Sequence, residues 1–443
     1  MLQPVAPRSG AGAAACRRPQ ETAGRSVGSN LRRHHALIVG GPVLAMIGAL
    51  ILWARAPDPQ PSAPQPPTAF SSTKPKPPAT PCPAGGGVAI GVGDDARSVV
   101  NAHGAGTTYI VKAGTHLQNF SVQPKSGDRF CGEPGAVLDG GRSLAFAFSG
   151  GGTNVTLDSL TIQNYNPGFQ NGAIKPYIRA TGWVLRNLTV QKNMYLGVNA
   201  SDGMKILGGH YNYNEQMGIG GNDGHVIGVT LDGLDANPAT YDGPELAFNK
   251  VLHDPCDYGG GGAKFDGDNI VVRNVWAHDN DCMGIWFDIN AVHNLVEYNK
   301  VENNAAEGIF YEISQDACIR HNVVTNNGHG YRSDWYWSSG IGNSGSFNVE
   351  IYGNTLTNNF NGIAGIQQTR TDSTPPQHLV DHFYVHNNTV SGSGINGLGT
   401  GNGTNFSTRD VVFQNNTFLN GAQSFTRTGT GYQACSLLGF GTN

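Results

Sequence analysis

The stretch GIWFDIN at 284–290 is answered by GIFYEIS at 308–314, with a glycine, an apolar alternation and a carboxylate in the same phase. Alternation at period two marks a strand whose successive side chains face opposite ways. With the apolar set placed inward, Ile285, Phe287 and Ile289 point in while Trp286, Asp288 and Asn290 point out. In the second copy Ile309, Tyr311 and Ile313 go in, leaving Phe310, Glu312 and Ser314 outside. A third copy, GAKFDGD at 262–268, turns Ala263 and Phe265 inward and Lys264 and Asp266 outward. Gly262, Gly284 and Gly308 lie 22 and 24 residues apart, each step the length of one solenoid coil.

A hexapeptide with an apolar first residue and Asn at its fourth place recurs along the chain: VLRNLT (184), LAFNKV (246), VVRNVW (271), VEYNKV (296), IRHNVV (319), IYGNTL (351), VHNNTV (385) and FQNNTF (413). The steps from Asn249 to Asn416 are 25, 25, 23, 32, 34 and 28 residues. Coils of this length stack at the strand spacing of about 4.8 Å, and Asn suits a fixed corner because its amide can bond to the amide of the next coil. These asparagines are read as structural. The pattern resembles the right-handed parallel β-helix repeat proteins of the pectate-lyase-like superfamily over roughly 105–420, including an opening segment at 107–127 that looks like a first coil. The resemblance implies an all-β solenoid of about a dozen coils, and an activity drawn from polysaccharide lyases, hydrolases or epimerases, or a non-catalytic adhesin.

Composition agrees with a turn-rich β protein: 63 glycines among 443 residues, and only 14% charged residues. Four segments are expected: a basic cytoplasmic leader at 1–35, an apolar span at 36–54, a proline-rich linker at 55–82 and the β-helix at 83–443. The nineteen-residue run ALIVGGPVLAMIGALILWA is long enough to cross a bilayer, and the arginines before it place the N-terminus inside. An uncleaved anchor is the expectation, which sets the β-helix outside the cell membrane; cleavage of a signal peptide near ARA at 54–56, with secretion, is the alternative. Beyond residue 56 there are 21 basic and 31 acidic residues, a net of −10, which argues against a nucleic-acid partner. Nothing in the sequence signals an oligomer, so a monomer is expected. Six cysteines lie beyond the span, and the pairs Cys256–Cys282 and Cys82–Cys131 are the first to try.

Asp266, Asp288 and Glu312 form an outward column, one per coil, where packing does not ask for acids. Like charges stacked at coil spacing raise a pKa or recruit a cation. Trp286 and Phe310 are expected to lie exposed beside them as faces for a sugar ring, with Lys264 in the same row. Asn290 follows on the same face. The loop at 329–340 offers Tyr331, Trp335 and Trp337 as one wall; the segments 223–246 and 254–262 are expected opposite, and the loop at 367–377 adds Arg370. The alternative is a polar face on which acids fall by chance. His225, His253, His278, His293 and His321 are read mostly as surface residues, with no metal-ligand spacing.

Three chemistries fit this column. Hydrolysis of a glycan needs two carboxyl groups about 5 Å apart for retention or about 6.5–9.5 Å for inversion. In the preferred reading Glu312 is the general acid and Asp288 the nucleophile or base, with Asp266 tuning both and no cofactor. A uronate lyase or epimerase needs a base for the C5 proton, drawn from Lys264, His329, Tyr331 or Arg370, and a cation for the carboxylate, with Ca²⁺ on the acidic column as one option. The third is a glycan-binding or structural protein displayed on the linker. In all three the partner is a polysaccharide or cell-wall glycan.

Overall fold

The computed structural model describes residues 86–440 apart from 222–223, 235–239, 251, 253–255, 257–258, 332–334, 369–378, 401–409 and 420–428. The leader, the apolar span and the linker lie outside the described residues, as do Cys82, His253 and Arg370. Among the described residues no helix is long and apolar enough to cross a membrane.

Short strands repeat around a common axis and assemble into three parallel sheets of 15, 12 and 10 strands. The expected alternation builds their interior. Along the third sheet, Ile219, Ala263, Ile285, Ile309, Ile341 and Ile363 stack in register. Phe265, Phe287 and Tyr311 form a second inner stack, with ring centroids 5.8 and 5.5 Å apart. Each such side chain, fully withdrawn from water, contributes about 1.5–3 kcal/mol. Before the first full coils, the helix Ala96–Asn101 buries Ala96 and Val100 in the same core, and the Asp95 side chain caps it by accepting from the Arg97 N–H.

Asparagine ladders hold two corners rather than one. Asn299, Asn322, Asn354, Asn388 and Asn416 form the first, each Nδ2 donating to the next Oδ1 at 2.9 Å. Asn193, Asn214, Asn249, Asn280, Asn304, Asn327 and Asn359 form the second. Asn249 therefore belongs to a different corner from Asn299. Asn274 is one residue out of step: its φ of 57° matches Tyr298 and His321, which precede the ladder, and Val275 N–H is the group that donates to Asn299 Oδ1. The left-handed turn is thus made by the residue before the asparagine, and the amide is kept for the ladder. Glycines line the same side: a Cβ on Gly308 would stand 2.7 Å from Gly340 O and 2.9 Å from Asn327 Nδ2.

Two disulfides join described cysteines, Cys256–Cys282 as expected and Cys318–Cys435. Cys131 is also disulfide-bonded. The second bridge pins the C-terminal helix Ala434–Leu437 back onto the first sheet, where Cys435 N–H donates to Glu350 Oε2 and His293 Nε2 to Leu438 O.

Candidate functional site

The outer face of the third sheet carries the row Gly220, Lys264, Trp286, Phe310, Gly342 and Ala364 in register. Two residues further along each strand comes the acidic column, with Glu312 paired to Ser344 on the following coil. The strand ends at Phe287 and Asp288 follows it directly, because Ile289 and Asn290 turn left-handed with φ of 47° and 60°. The alternation stops there. Ile289, expected inside, is 44% exposed, and Asn290 is also exposed in the turn rather than on the strand face. Asp288 Oδ1 accepts from the Ile289 N–H at 2.8 Å, which fixes the carboxyl at the turn.

The column faces away from the core but not into open solvent. Asp288 is 6% and Glu312 7% exposed. Trp286 and Phe310, expected as open platforms, are buried with Cys256, Cys282, Met283 and Ala306, and Tyr331 and Trp337 pack against them. The reason is topological. Both connections from the second sheet to the third, after Ala247 and after Thr325, leave on one side, and described residues of each, Cys256 from the first and Tyr331 and Trp337 from the second, pack with the aromatics. Cys256, from the segment expected opposite, therefore shares a cluster with Tyr331 and Trp337 instead of facing them. Trp337 lies edge-on to Phe310 at 5.9 Å, and Asn361 Nδ2 anchors this loop through the carbonyls of Trp335 and Trp337.

Lys264 organises the acids. Its Nζ lies 2.8 Å from Asp288 Oδ2 and 3.8 Å from the centroid of the Trp286 ring. Burial works to lower its pKa, but attraction from Asp288, then Asp266, and further on Glu312, outweighs it and holds the amine protonated. That speaks against Lys264 as a base. Asp266 is pushed up to about 7, first by burial and then by the Asp288 charge, against the pull of Lys264. Its Oδ1 is buried with no hydrogen-bond partner. The site therefore pairs a fixed cation with a carboxyl able to exchange a proton near neutrality.

A second polar cluster, on the second sheet, was not apparent from spacing. Glu245 Oε2 accepts from His210 Nδ1 at 2.7 Å and Oε1 from Asn212 Nδ2 at 2.8 Å. His278, read as a surface residue, is buried between carboxylates, with Nδ1 2.7 Å from Asp279 and Nε2 3.5 Å from Glu245. The insertion between 232 and 245 breaks the period there and hides the common register of 210, 245 and 276. Among the described residues, no three or more His, Cys, Asp or Glu side chains are grouped to hold a metal ion.

A stack of parallel coils around an Asn-laddered core, with buried polar groups on one outer face, defines a right-handed β-helix protein. The family model for the right handed beta helix region matches residues 147–375, more than half of the chain, and the chain belongs to that family. Over 100 residues it is 30% identical to a mannuronan C5-epimerase of Pseudomonas putida, a match spanning 22% of this chain and 17% of that protein. The A-module of a mannuronan C-5 epimerase from Azotobacter vinelandii is similar at 13% identity and TM-score 0.45, covering 75% of this chain and 94% of that one. A mannuronic acid specific family 6 lyase from human gut microbiota gives 14% and 0.38, with coverage of 76% and 82%. A surface adhesin of Streptococcus pneumoniae gives 13% and 0.35, with coverage of 76% and 93%.

Proposed function

We propose that this chain is an extracytoplasmic polysaccharide-modifying enzyme of the epimerase or lyase kind, acting on a uronate glycan over the outer face of the third sheet. The observation that carries the reading is the Lys264 ammonium held against Asp288, with Asp266 beside it raised to about 7. The 30% identity to a mannuronan C5-epimerase supports the same class. Removing the C5 proton of a uronate leaves an electron pair that spreads into the carboxylate, and a fixed cation lowers the cost of that charge. Return of a proton to the opposite face inverts C5. Departure of the C4 oxygen with the electron pair instead leaves a C4–C5 double bond.

Asp266 is the proton-exchanging group in this scheme and Lys264 the carboxylate partner; Tyr331, in the wall over the aromatics, is the candidate base. Hydrolysis is the weaker reading, because the carboxylate assigned as nucleophile or base, Asp288, has both oxygens engaged, Oδ2 by Lys264 Nζ and Oδ1 by the Ile289 N–H. Calcium does not fit the column well, since the ammonium already occupies the place between acids that a cation would take. The apolar span at 36–54 would hold the enzyme at the membrane.

The test is incubation with polymannuronate in deuterium oxide. Deuterium at C5, or unsaturated ends absorbing in the ultraviolet, supports the reading when Asp266→Asn lowers the rate by at least about 100-fold. New reducing ends with neither signal, or full activity in Asp266→Asn, overturn it. A chelator in the same assay reports on calcium.

A further inference from the structure

The indole Nε1 of Trp286 is buried without a hydrogen-bond partner, as is Oδ1 of Asp266. Trp286 is 2% exposed. A buried N–H without an acceptor forfeits the bond that water supplies in the unfolded chain, so a tryptophan kept only for packing would be better replaced by phenylalanine. Its ring faces are already engaged. Lys264 Nζ stands over the ring, Phe310 lies tilted at 5.9 Å, and Met283 and Ala306 complete the cluster. A sugar cannot stack there; the N–H is the group left without a partner, and being buried it is reached by a ligand only when the Tyr331 and Trp337 side chains packed against the cluster draw aside.

We propose that the Trp286 N–H and the Lys264 ammonium together receive a sugar carboxylate, so that Trp286 selects uronate over neutral sugar by hydrogen bonding and not by stacking. The inference rests on the function proposed above and names what sets its substrate class. A carboxylate offers two oxygens, one for each donor, and such charge-assisted bonds are the strong ones. The ammonium attracts the carboxylate as a point charge, while the indole, a single directed donor, fixes its orientation. A neutral hexose puts a hydroxymethyl group in that place and gives the indole a weaker acceptor. Discrimination of this kind comes from a donor left unpaired by the wrong ligand.

The experiment is calorimetric titration of the full chain with a defined oligomannuronate and with a neutral mannose oligosaccharide, comparing the wild type with Trp286→Phe. The expected result is an affinity for the oligomannuronate lower by on the order of tenfold, with the neutral sugar unaffected. An affinity within twofold of wild type, or a wild type with no preference for the charged sugar, overturns the proposal. Should Trp286→Phe not fold, the assigned indole N–H resonance of Trp286 in the wild type gives the answer. It moves downfield and exchanges more slowly on adding oligomannuronate; an unmoved resonance sinks the idea. Failure here is distinct from failure of the catalytic reading: Asp266→Asn inactive with Trp286→Phe unchanged removes only this inference, and the reverse removes only the proton-exchange role.

Discussion

Lys264 on one coil and Asp288 on the next are joined by an ion pair of 2.8 Å, with side chains 6% and 9% exposed. Buried pairs of this kind contribute little over an apolar replacement, yet removing one partner strands the other charge. Lys264→Met should therefore cost about 3–5 kcal/mol in urea unfolding, and Lys264→Met with Asp288→Leu should recover most of it. A single variant within about 1 kcal/mol of wild type means that the charges are hydrated in solution.

Asp266 gives stability a slope in pH. An unfolded aspartate titrates near 3.9, whereas the folded group is raised to about 7, so between these values the native state holds more protons. Stability should fall as pH rises from about 4 to about 7, by up to about 1.4 kcal/mol per unit. Denaturant unfolding at several pH values reads this, and Asp266→Asn should flatten the curve and stabilise the protein at pH 8. An unchanged slope in that variant rules Asp266 out as its source.

The His278 imidazole adds a second window. Burial works to lower its pKa, but the bond to Asp279 and then the nearby Glu245 carboxylate raise it above the usual value near 6.5. Its contribution is thus complete below about 6.5 and is lost as pH rises through the folded pKa. Proton NMR should place the His278 titration above that of free histidine, and His278→Gln should lack the loss of melting temperature over the same range. A titration at or below 6.5 contradicts the sandwich between carboxylates.

Position along a ladder should set the cost of losing its asparagine. Asn304 accepts from both the backbone and side-chain amides of Asn280 and donates to Asn327 Oδ1 and Ala277 O. Asn304→Ala leaves several buried groups unpaired and should cost about 3 kcal/mol or more. Asn416, at the end of its ladder and half-buried, should cost about 1 kcal/mol. Equal urea midpoints for the two variants mean that the ladder does not act as a stack of mutually dependent bonds.

The solenoid was legible because its signal is repeated: the inward stack Ile285, Ile309 and the outward acids Asp288, Glu312 share one phase in sequence and in structure. The convergence of the acids was legible too, since Lys264 feels all three. What failed was exposure. Period two assigns a side chain to a face of the sheet but says nothing about a loop folded over that face, and so Trp286 and Phe310 appeared open. Ile289 failed because the strand ends at Phe287, two residues before the apolar pattern does. Asn274 failed because a hexapeptide match tolerates a slip of one residue, whereas a ladder amide does not. His278 was missed because its partners come from coils of unequal length.

Most partners in this molecule lie one turn apart along the chain, so assembly can advance turn by turn from any well-formed start. The bond between Cys318 and Cys435 spans 117 residues, and Arg320 Nη2 reaches Phe440 O beyond it. Neither link can close before the intervening turns are laid down. A chain cut short after residue 433 would keep every described strand and still carry an orphan thiol at Cys318, so the bridge serves as a seal that is set only once Cys435 has joined the turns before it.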